Sequence, residues 1–364
     1  FDTEFTDSVV YVGLFVTKSS RDQPEIVILS NGNELEGKYF SYYQNAIKEK
    51  SGDRKSYAQY WEYFDSKLYG KKRIYFSGDG VYNQINPETF MDYNKNYLIN
   101  TYTFYFVSNT KDIVDQSRGG ATVYTNTTAA LFGNPSFGNS SSNNITSIES
   151  LPGAEKEVQE LNEFLSEMKW TTQKFIGADA SEGALKELES PRVLHIATHG
   201  FFMADEQQTY QNEGIIGEED QQISNPLMRS GLLFTNAGDL LSTENVFKFN
   251  QHDGVLTAYE AMNLNLDHTE IVFLSACETG RGEVKSGEGV YGLQRSFIVA
   301  GAQNVVMTLF KVDDAVTQKL VNLFYSEWIK TNDKRAAFIN AKKAILEEYK
   351  DPIYWGAFIM VGLD

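Results

Sequence analysis

The sequence predicts an α/β protein built on a mostly parallel central sheet that is covered by helices. Short apolar runs recur in its second half, and segments with apolar residues at three- and four-residue spacing, such as Val290, Leu293 and Phe297, lie between them. Continuous apolar strands that alternate with helices are typical of a parallel sheet buried on both faces. The predicted strands are residues 193–198, 271–276 and 304–310.

The length of the chain, 364 residues, exceeds the ~100–200 residues of a usual single domain. We therefore expect two lobes, or one core with a large extension. Hydrophobic residues make up 41% of the chain, and no apolar run approaches the ~18 residues that a membrane helix requires, so we expect a soluble protein. The chain begins with Phe1 rather than Met, which suggests a fragment of a longer protein.

The net charge and the cysteine content indicate which binding partners and which cellular compartment to expect. A formal net charge of −17 would repel phosphate backbones, so nucleic acid is not expected as a direct partner. The single cysteine can form no internal disulfide, and a reducing cytoplasm is the simplest setting for it.

The first third of the chain is predicted to alternate between strands and helices. Residues 9–16 and 25–30 are rich in β-branched side chains and predict a small sheet. Residues 73–76 and 101–108 predict further strands. No His and no Cys occurs before His195, so we expect this part to have a structural role. An amphipathic helix with a buried aromatic face is predicted from Tyr57, Tyr60, Trp61, Phe64 and Leu68.

Helices and two polar segments complete the second half. Pro152 suits the first turn of a helix that covers the sheet. Further helices are predicted around residues 316–328 and 336–349. The chain ends in an apolar segment over residues 355–361. Residues 138–147 have the composition of a flexible linker. The polar stretch at residues 204–224 is either a binding or lid loop or a disordered segment. The apolar stripe of the covering helix comprises Ala154, Val158, Leu161, Leu165 and Met168.

Two reactive residue types follow directly on two of the predicted strands. His199 comes after residues 193–198, and Cys277 comes after residues 271–276. In such sheets the reactive groups collect beyond the carboxyl ends of the strands. A thiol beside an imidazole is shifted toward thiolate, and the backbone N–H groups of Gly200 and Cys277 are candidate donors to an oxyanion. The alternative is that Cys277 is a buried small hydrophobe and His199 a hydrogen-bonded loop residue.

Several segments around these residues resemble the CHAT domain, a caspase-like group related to separase. The resemblance covers at least residues 129–362, and residues 1–128 resemble, less specifically, the inactive caspase-like lobe that accompanies such domains. The matching segments are His195-Ile-Ala-Thr-His-Gly-Phe-Phe202, Asn225-Pro-Leu-Met-Arg-Ser-Gly-Leu-Leu-Phe234, Leu274-Ser-Ala-Cys-Glu-Thr-Gly280, Gly287-Glu-Gly-Val-Tyr-Gly-Leu-Gln-Arg295, Ala300-Gly-Ala302 and Tyr354-Trp-Gly-Ala-Phe358.

The resemblance implies a caspase-like α/β sandwich over residues 129–364, with a companion lobe over residues 1–128. It also implies a cysteine endopeptidase that acts on a protein or peptide substrate through His199 and Cys277. CHAT domains often follow helical repeats, so an upstream helical-repeat sensor region is an expected partner. The alternative function is a catalytically silent caspase-like scaffold or protein-binding module.

The resemblance further implies a substrate-binding role for Asp314. In separase and CHAT members, a segment similar to Leu309-Phe-Lys-Val-Asp-Asp314 carries an Asp that lines the pocket for the residue before the cleaved bond. A carboxylate there suits Arg or Lys, although Phe310 replaces the usual Trp and Ser275 stands where some basic-specific relatives carry Asp. Alternatively, Asp313 or Asp314 caps the helix that starts near Ala315.

Three other kinds of site fit the sequence poorly. Residues 287–292 match a dinucleotide fingerprint, but ten residues separate them from the preceding strand, so no cofactor is expected. His195 and His199 are four apart, yet on a strand their rings would be ~13 Å apart, so no metal is expected and His195 is interpreted as a packed strand residue. No Gly-x-Ser-x-Gly nucleophile elbow occurs.

Overall fold

The computed structural model describes residues 8–20, 23–114, 124–138, 148–202, 226–238, 253–278 and 288–364. Strands β1 (Tyr11–Phe15) and β2 (Glu25–Leu29) form an antiparallel two-stranded sheet, as predicted. Side chains alternate across it: Tyr11, Phe15 and Val27 pack on the core, and the opposite face is apolar and exposed. That exposed face comprises Val10, Val12, Leu14, Val16, Ile26 and Ile28.

The amphipathic helix that we predicted in the front part of the chain, residues 1–128, is confirmed, and it is irregular. It runs as a π-helical turn, Tyr57–Trp61, that continues into a short α-helix, Glu62–Asp65. All five residues of the predicted face are buried, but Leu68 lies beyond the end of the helix. The ring of Trp61 contacts those of Phe64 and Phe104, so this helix packs on a strand of the front part. The helices and strands here are α1 (Gly32–Glu34), the π-helical Leu35–Tyr39, α2 (Phe40–Lys48), α3 (Glu62–Asp65), β3 (Arg73–Phe76), the 3-10 helices Gly80–Asn83 and Pro87–Thr89, α4 (Leu98–Thr101) and β4 (Thr103–Phe106).

Strands and helices alternate through the rest of the described chain. They are β5 (Thr128–Pro135), α5 (Pro152–Glu167), β6 (Thr171–Gly177), α6 (Glu182–Lys186), β7 (Val193–Ala197), β8 (His199–Phe202), the 3-10 helix Pro226–Met228, β9 (Ser230–Leu233), β10 (Val255–Thr257), α7 (Ala258–Ala261), β11 (Ile271–Leu274), β12 (Cys277–Glu278), α8 (Glu288–Val299), β13 (Asn304–Thr308), α9 (Asp314–Thr331), α10 (Lys334–Tyr349), α11 (Pro352–Trp355) and β14 (Phe358–Gly362).

The central sheet has eight strands in the order β3-β4-β14-β13-β11-β7-β5-β6. Every neighbouring pair is parallel except β13 and β14, which run antiparallel. The three predicted strands of the second half are β7, β11 and β13, and they lie together in the middle. The predicted α/β sandwich with a mostly parallel central sheet is confirmed.

Side chains of the central strands are buried on both faces of the sheet. In β11, Val272 and Leu274 join one core cluster, whereas Ile271 and Phe273 join the other. The second cluster lies under α5, α9 and α10, which contribute the buried side chains of Val158, Leu161, Leu165, Leu320, Phe324, Trp328, Phe338 and Ile345. The predicted stripe of α5 is thus confirmed as far as Leu165. Met168 is 40% exposed because α5 ends at Glu167.

His195 is a packed residue of β7, as predicted. Its ring is fully buried and stacks on Phe273 at 5.1 Å between centroids. Its Nε2 lies 2.8 Å from Glu157 Oε1, and its Nδ1 lies 3.3 Å from the Tyr325 hydroxyl. Both ring nitrogens are therefore engaged inside the core, away from solvent.

The front part of the chain contributes directly to the central sheet. Its strands β3 and β4 pair with each other, and β4 pairs with β14 through Phe106 and Val361. A buried ion pair between Glu88 and Lys342 joins the front part to α10. The division into a companion lobe over residues 1–128 and a domain over residues 129–364 stays a prediction. Residues 139–147 of the predicted linker and the polar stretch 204–224 lie outside the described residues.

Among the residues that the structure covers, no helix is both long and apolar enough to span a bilayer.

Candidate active site

A second, smaller sheet carries the two candidate reactive residues. Its strand order is β10-β9-β8-β12, and β8 begins at His199 while β12 begins at Cys277. One residue, Thr198, separates β8 from β7, and two residues separate β12 from β11. Because β7 and β11 are paired neighbours in the central sheet, both candidates leave the carboxyl ends of adjacent strands.

His199 and Cys277 are direct backbone partners. The parallel pair β8 and β12 has Cys277 opposite His199 and Glu278 opposite Gly200. Paired strands lie ~4.8 Å apart, so the backbones of the two candidates are immediate neighbours. The two predicted oxyanion donors, the N–H groups of Gly200 and Cys277, belong to these same adjacent strands.

Glu149 and Phe137 both contact the imidazole of His199 and help to orient it. Its Nε2 lies 2.8 Å from the carbonyl oxygen of Glu149, and its ring packs against Phe137 with 5.2 Å between centroids. A carbonyl oxygen can only accept a hydrogen bond, so Nε2 carries the hydrogen of the neutral ring. Nδ1 is then the nitrogen with the lone pair, which is the one that can take up a proton.

Burial is the main influence on the charge state of His199. Burial lowers the pKa of His199 below its ordinary value, because the charged ring loses its hydration. The hydrogen bond to the Glu149 carbonyl and the negative charges of Glu149 and Asp314 raise this pKa, and Lys311 lowers it. The net lowering of the pKa keeps the ring neutral at neutral pH, as a base requires.

Gly200 has room for a small side chain beside the paired strands. A Cβ built on it would meet the Gly231 carbonyl oxygen at 3.7 Å and the Ala276 Cβ at 3.9 Å, which are ordinary contacts. Neither the backbone conformation nor the packing therefore requires glycine at this position.

The structure separates the roles of the two neighbouring aspartates. Asp313 is the N-cap of α9, and its carboxylate accepts hydrogen bonds from the N–H groups of Ala315 at 3.0 Å and Val316 at 3.2 Å. Asp314 is the first residue of α9 and is exposed. Its carboxylate lies beside Gly153 in the first turn of α5, where a negative charge is favourable, and its charge acts on His199.

The contacts that orient His199 could not be predicted from the sequence. Glu149 acts through its backbone carbonyl, which every residue type has, so no residue pattern marks it. Phe137 contacts the ring from the segment just after β5, and an aromatic residue before a Ser- and Asn-rich stretch gives no sign of its partner.

The chain is similar to parts of larger proteins. Tetratricopeptide repeat protein 28 of Mus musculus is 26% identical over 220 residues, which are 59% of this chain and 9% of that protein. Tetratricopeptide repeat protein 28 of Homo sapiens is 30% identical over 112 residues, which are 30% of this chain and 4% of that protein. The chain therefore spans less than a tenth of the length of these curated relatives.

Among solved structures, the chain is similar to the Arg-specific cysteine proteinase gingipain R. The TM-score is 0.48 at 10% sequence identity, and the similarity covers 83% of this chain and 66% of gingipain R.

The family comparison covers most of the chain. A family model described as the CHAT domain matches residues 60–363, which includes β3 and β4 as well as the second half. The resemblance predicted from the motifs is confirmed: the chain belongs to the CHAT domain family.

Proposed function

We propose that this protein is a cysteine endopeptidase in which Cys277 is the nucleophile and His199 its acid/base partner. One observation carries the proposal, namely the direct pairing of His199 with Cys277 across β8 and β12. Residues paired in register share one face of a sheet, so a thiol at 277 would lie within reach of the His199 ring. Membership of the CHAT domain family supports the same interpretation.

The proposed reaction uses groups of this chain only. His199 Nδ1 takes the thiol proton, and the resulting thiolate attacks the carbonyl carbon of the scissile peptide bond. The N–H groups of Gly200 and Cys277 donate to the oxyanion that forms. The imidazolium then gives its proton to the departing amine, which leaves a thioester on Cys277. Water, deprotonated by His199, hydrolyses the thioester and frees the carboxylate product and the thiol.

The surroundings of His199 suit both halves of this cycle. Burial keeps the resting ring neutral, so Nδ1 can accept the thiol proton. Once the ring is charged, the hydrogen bond from Nε2 to the Glu149 carbonyl stabilises the imidazolium, since a charge-assisted hydrogen bond is stronger than a neutral one.

We propose that Asp314 selects a basic residue before the cleaved bond. Its carboxylate is exposed, and its negative charge raises the pKa of His199, so it belongs to the electrostatic surroundings of the proposed dyad. Arg or Lys would donate charge-assisted hydrogen bonds to it. The same carboxylate also has a structural role, because it lies beside the first turn of α5, where a negative charge is favourable.

Digestion of a peptide library tests both the activity and the preference. Wild type is expected to cleave after Arg or Lys, and Asp314→Ala is expected to lose that preference while it still cleaves. Asp313→Ala is the matched control: it removes the cap of α9 at a cost of about 0.5–2 kcal/mol in stability, and it should keep the preference. A library that is cleaved neither by this chain alone nor by the longest natural polypeptide that contains it would contradict the peptidase proposal and favour a silent scaffold. An unchanged preference in Asp314→Ala would contradict the role of Asp314.

We further propose that the peptidase is the effector module of a larger cytoplasmic sensor protein. The similar proteins of mouse and human are named for tetratricopeptide repeats, which supports an adjoining helical-repeat region. Such a region would gate the site. The digestion should therefore compare this chain alone with the longest natural polypeptide that contains it. Equal activity of the two would contradict gating.

A further inference from the structure

The carbonyl that orients His199 belongs to a short segment that enters α5, and one side chain fixes that segment. The backbone N–H of Leu151, two residues after Glu149, donates to Asn134 Oδ1 at 2.7 Å. Asn134 Nδ2 donates in turn to Glu155 Oε2 at 3.0 Å, in the first turn of α5. The carboxylate of Glu155 is held from its other side by Gln159 Nε2 at 3.0 Å.

The backbone at Asn134 is shaped to make this contact. The pairing of β5 with β6 shifts register between Gly133 and Pro135, so Asn134 is the extra residue of a bulge. Its φ is +45°, in the left-handed region that asparagine tolerates better than most residues. Bulges of this kind redirect a side chain and recur beside active sites.

The same stretch of chain holds the His199 ring on its other side. Phe137, three residues after Asn134, is buried and packs against the imidazole. Residues 134–137, at and just after the end of β5, therefore contact the ring directly through Phe137 and indirectly through Asn134, Leu151 and the Glu149 carbonyl.

We propose that Asn134 is a positioning residue of the His199–Cys277 dyad, which holds the Glu149 carbonyl against His199 Nε2. The part played in catalysis rests on the proposed function, whereas the hydrogen bonding does not. The rival role is purely structural, in which Asn134 only anchors the start of α5. The two roles differ in what happens to the His199 ring.

The variants either remove or exchange the hydrogen-bond donor and acceptor of the pair Asn134 and Glu155. Asn134→Ala removes both contacts. Asn134→Asp combined with Glu155→Gln exchanges the donor and the acceptor, because the new carboxylate would still accept from the Leu151 N–H and would now accept from the amide of the new glutamine. The positioning role predicts that kcat/KM falls about 10- to 100-fold in Asn134→Ala and returns to within about threefold of wild type in the double variant.

An NMR titration of His199 is the readout that does not depend on activity. It is carried out with labelled histidine in a Cys277→Ala background, so that no thiol titrates beside the ring. Charged side chains that act on His199, those of Glu149, Lys311 and Asp314, are unchanged in all variants. Loss of the carbonyl acceptor is expected to lower the pKa of His199 by at least about half a unit in Asn134→Ala, and the double variant should restore it.

An unchanged titration in Asn134→Ala, or a double variant as impaired as the single one, would overturn the inference. Should Asn134→Ala fail to fold, Glu155→Ala removes only the hydrogen bond between residues 134 and 155. It is expected to lower the pKa of His199 by less than Asn134→Ala does. An unchanged pKa in Glu155→Ala would also overturn the inference. If wild type cleaves nothing, the proposed function fails, and the titration still decides whether Asn134 positions the ring.

Discussion

Replacement of Cys277 by alanine is expected to reduce peptide cleavage by about a thousandfold or more. The chain has a single cysteine, so the variant lacks any thiol that could form the acyl intermediate. What remains would come from substrate binding and oxyanion donation alone, which support only a small part of the rate in enzymes of this kind. The measurement is kcat/KM on a peptide selected from the library, with the longest natural polypeptide that contains this sequence.

Cys277→Ser is the matched control for the shape of the site. A hydroxyl fills almost the same space but has a far higher pKa than a thiol, so the serine variant should also be close to inactive while it folds and binds peptide as wild type does. Cleavage by either variant at more than about a tenth of the wild-type rate would show that another group performs the attack.

Replacement of Lys342 by alanine is expected to cost about 3–5 kcal/mol of unfolding free energy. Lys342 is fully buried, and its ammonium is paired with Glu88 and donates to the Phe358 carbonyl at 2.6 Å. Burial lowers the pKa of Lys342, and the carboxylate of Glu88 opposes this by raising it. Removal of the lysine leaves the Glu88 carboxylate buried without its cation. The measurement is the denaturant midpoint with its slope.

Two controls isolate the buried pair. Lys319→Ala removes an ion pair with Glu348 that is exposed to solvent, so the midpoint should hardly move. Glu88→Gln combined with Lys342→Met removes both charges, and it should be clearly more stable than Lys342→Ala. A single variant as stable as wild type would contradict the account of how the front part of the chain is joined to α10.

The centre of the fold was predictable because its strands and helices have clear local sequence patterns. Strands β7, β11 and β13 are buried on both faces, so each appears in the sequence as a mostly apolar run, interrupted in β7 only by His195 and flanked in β13 by Asn304 and Thr308. The helices that cover them show apolar residues at three- and four-residue spacing for the same reason. Asp313 lies directly before a helical stripe, and its capping role was one of two alternatives that the sequence left open.

The strand order was not predictable from these patterns. The apolar segment at the end of the chain forms β14, but its insertion between β13 and β4 depends on contacts between residues far apart in sequence. The same holds for the small sheet. Its strands β8, β9, β10 and β12 are two to four residues long, too short to show a period.

At the candidate site, residue type identified the two candidate reactive groups and missed the groups that orient His199. His199 and Cys277 stand out because imidazole and thiol are rare in this chain and follow apolar strands. The Glu149 carbonyl has no such signal, and Asn134 lies in a chain rich in asparagine. Backbone groups and the side chains that hold them become visible only when the strands are assembled.

The claim that His199 activates Cys277 is tested most directly by the rate at which iodoacetamide alkylates the thiol as a function of pH. The single cysteine makes the labelled residue unambiguous, and a small reagent needs no peptide-binding site to reach the thiol. We expect wild type to be alkylated faster than His199→Gln near neutral pH, because the neutral imidazole can take the thiol proton, whereas His199→Gln should react only as an ordinary thiol with a pKa of about 8.5 would. Identical profiles for the two proteins, both with that ordinary pKa, would contradict the dyad.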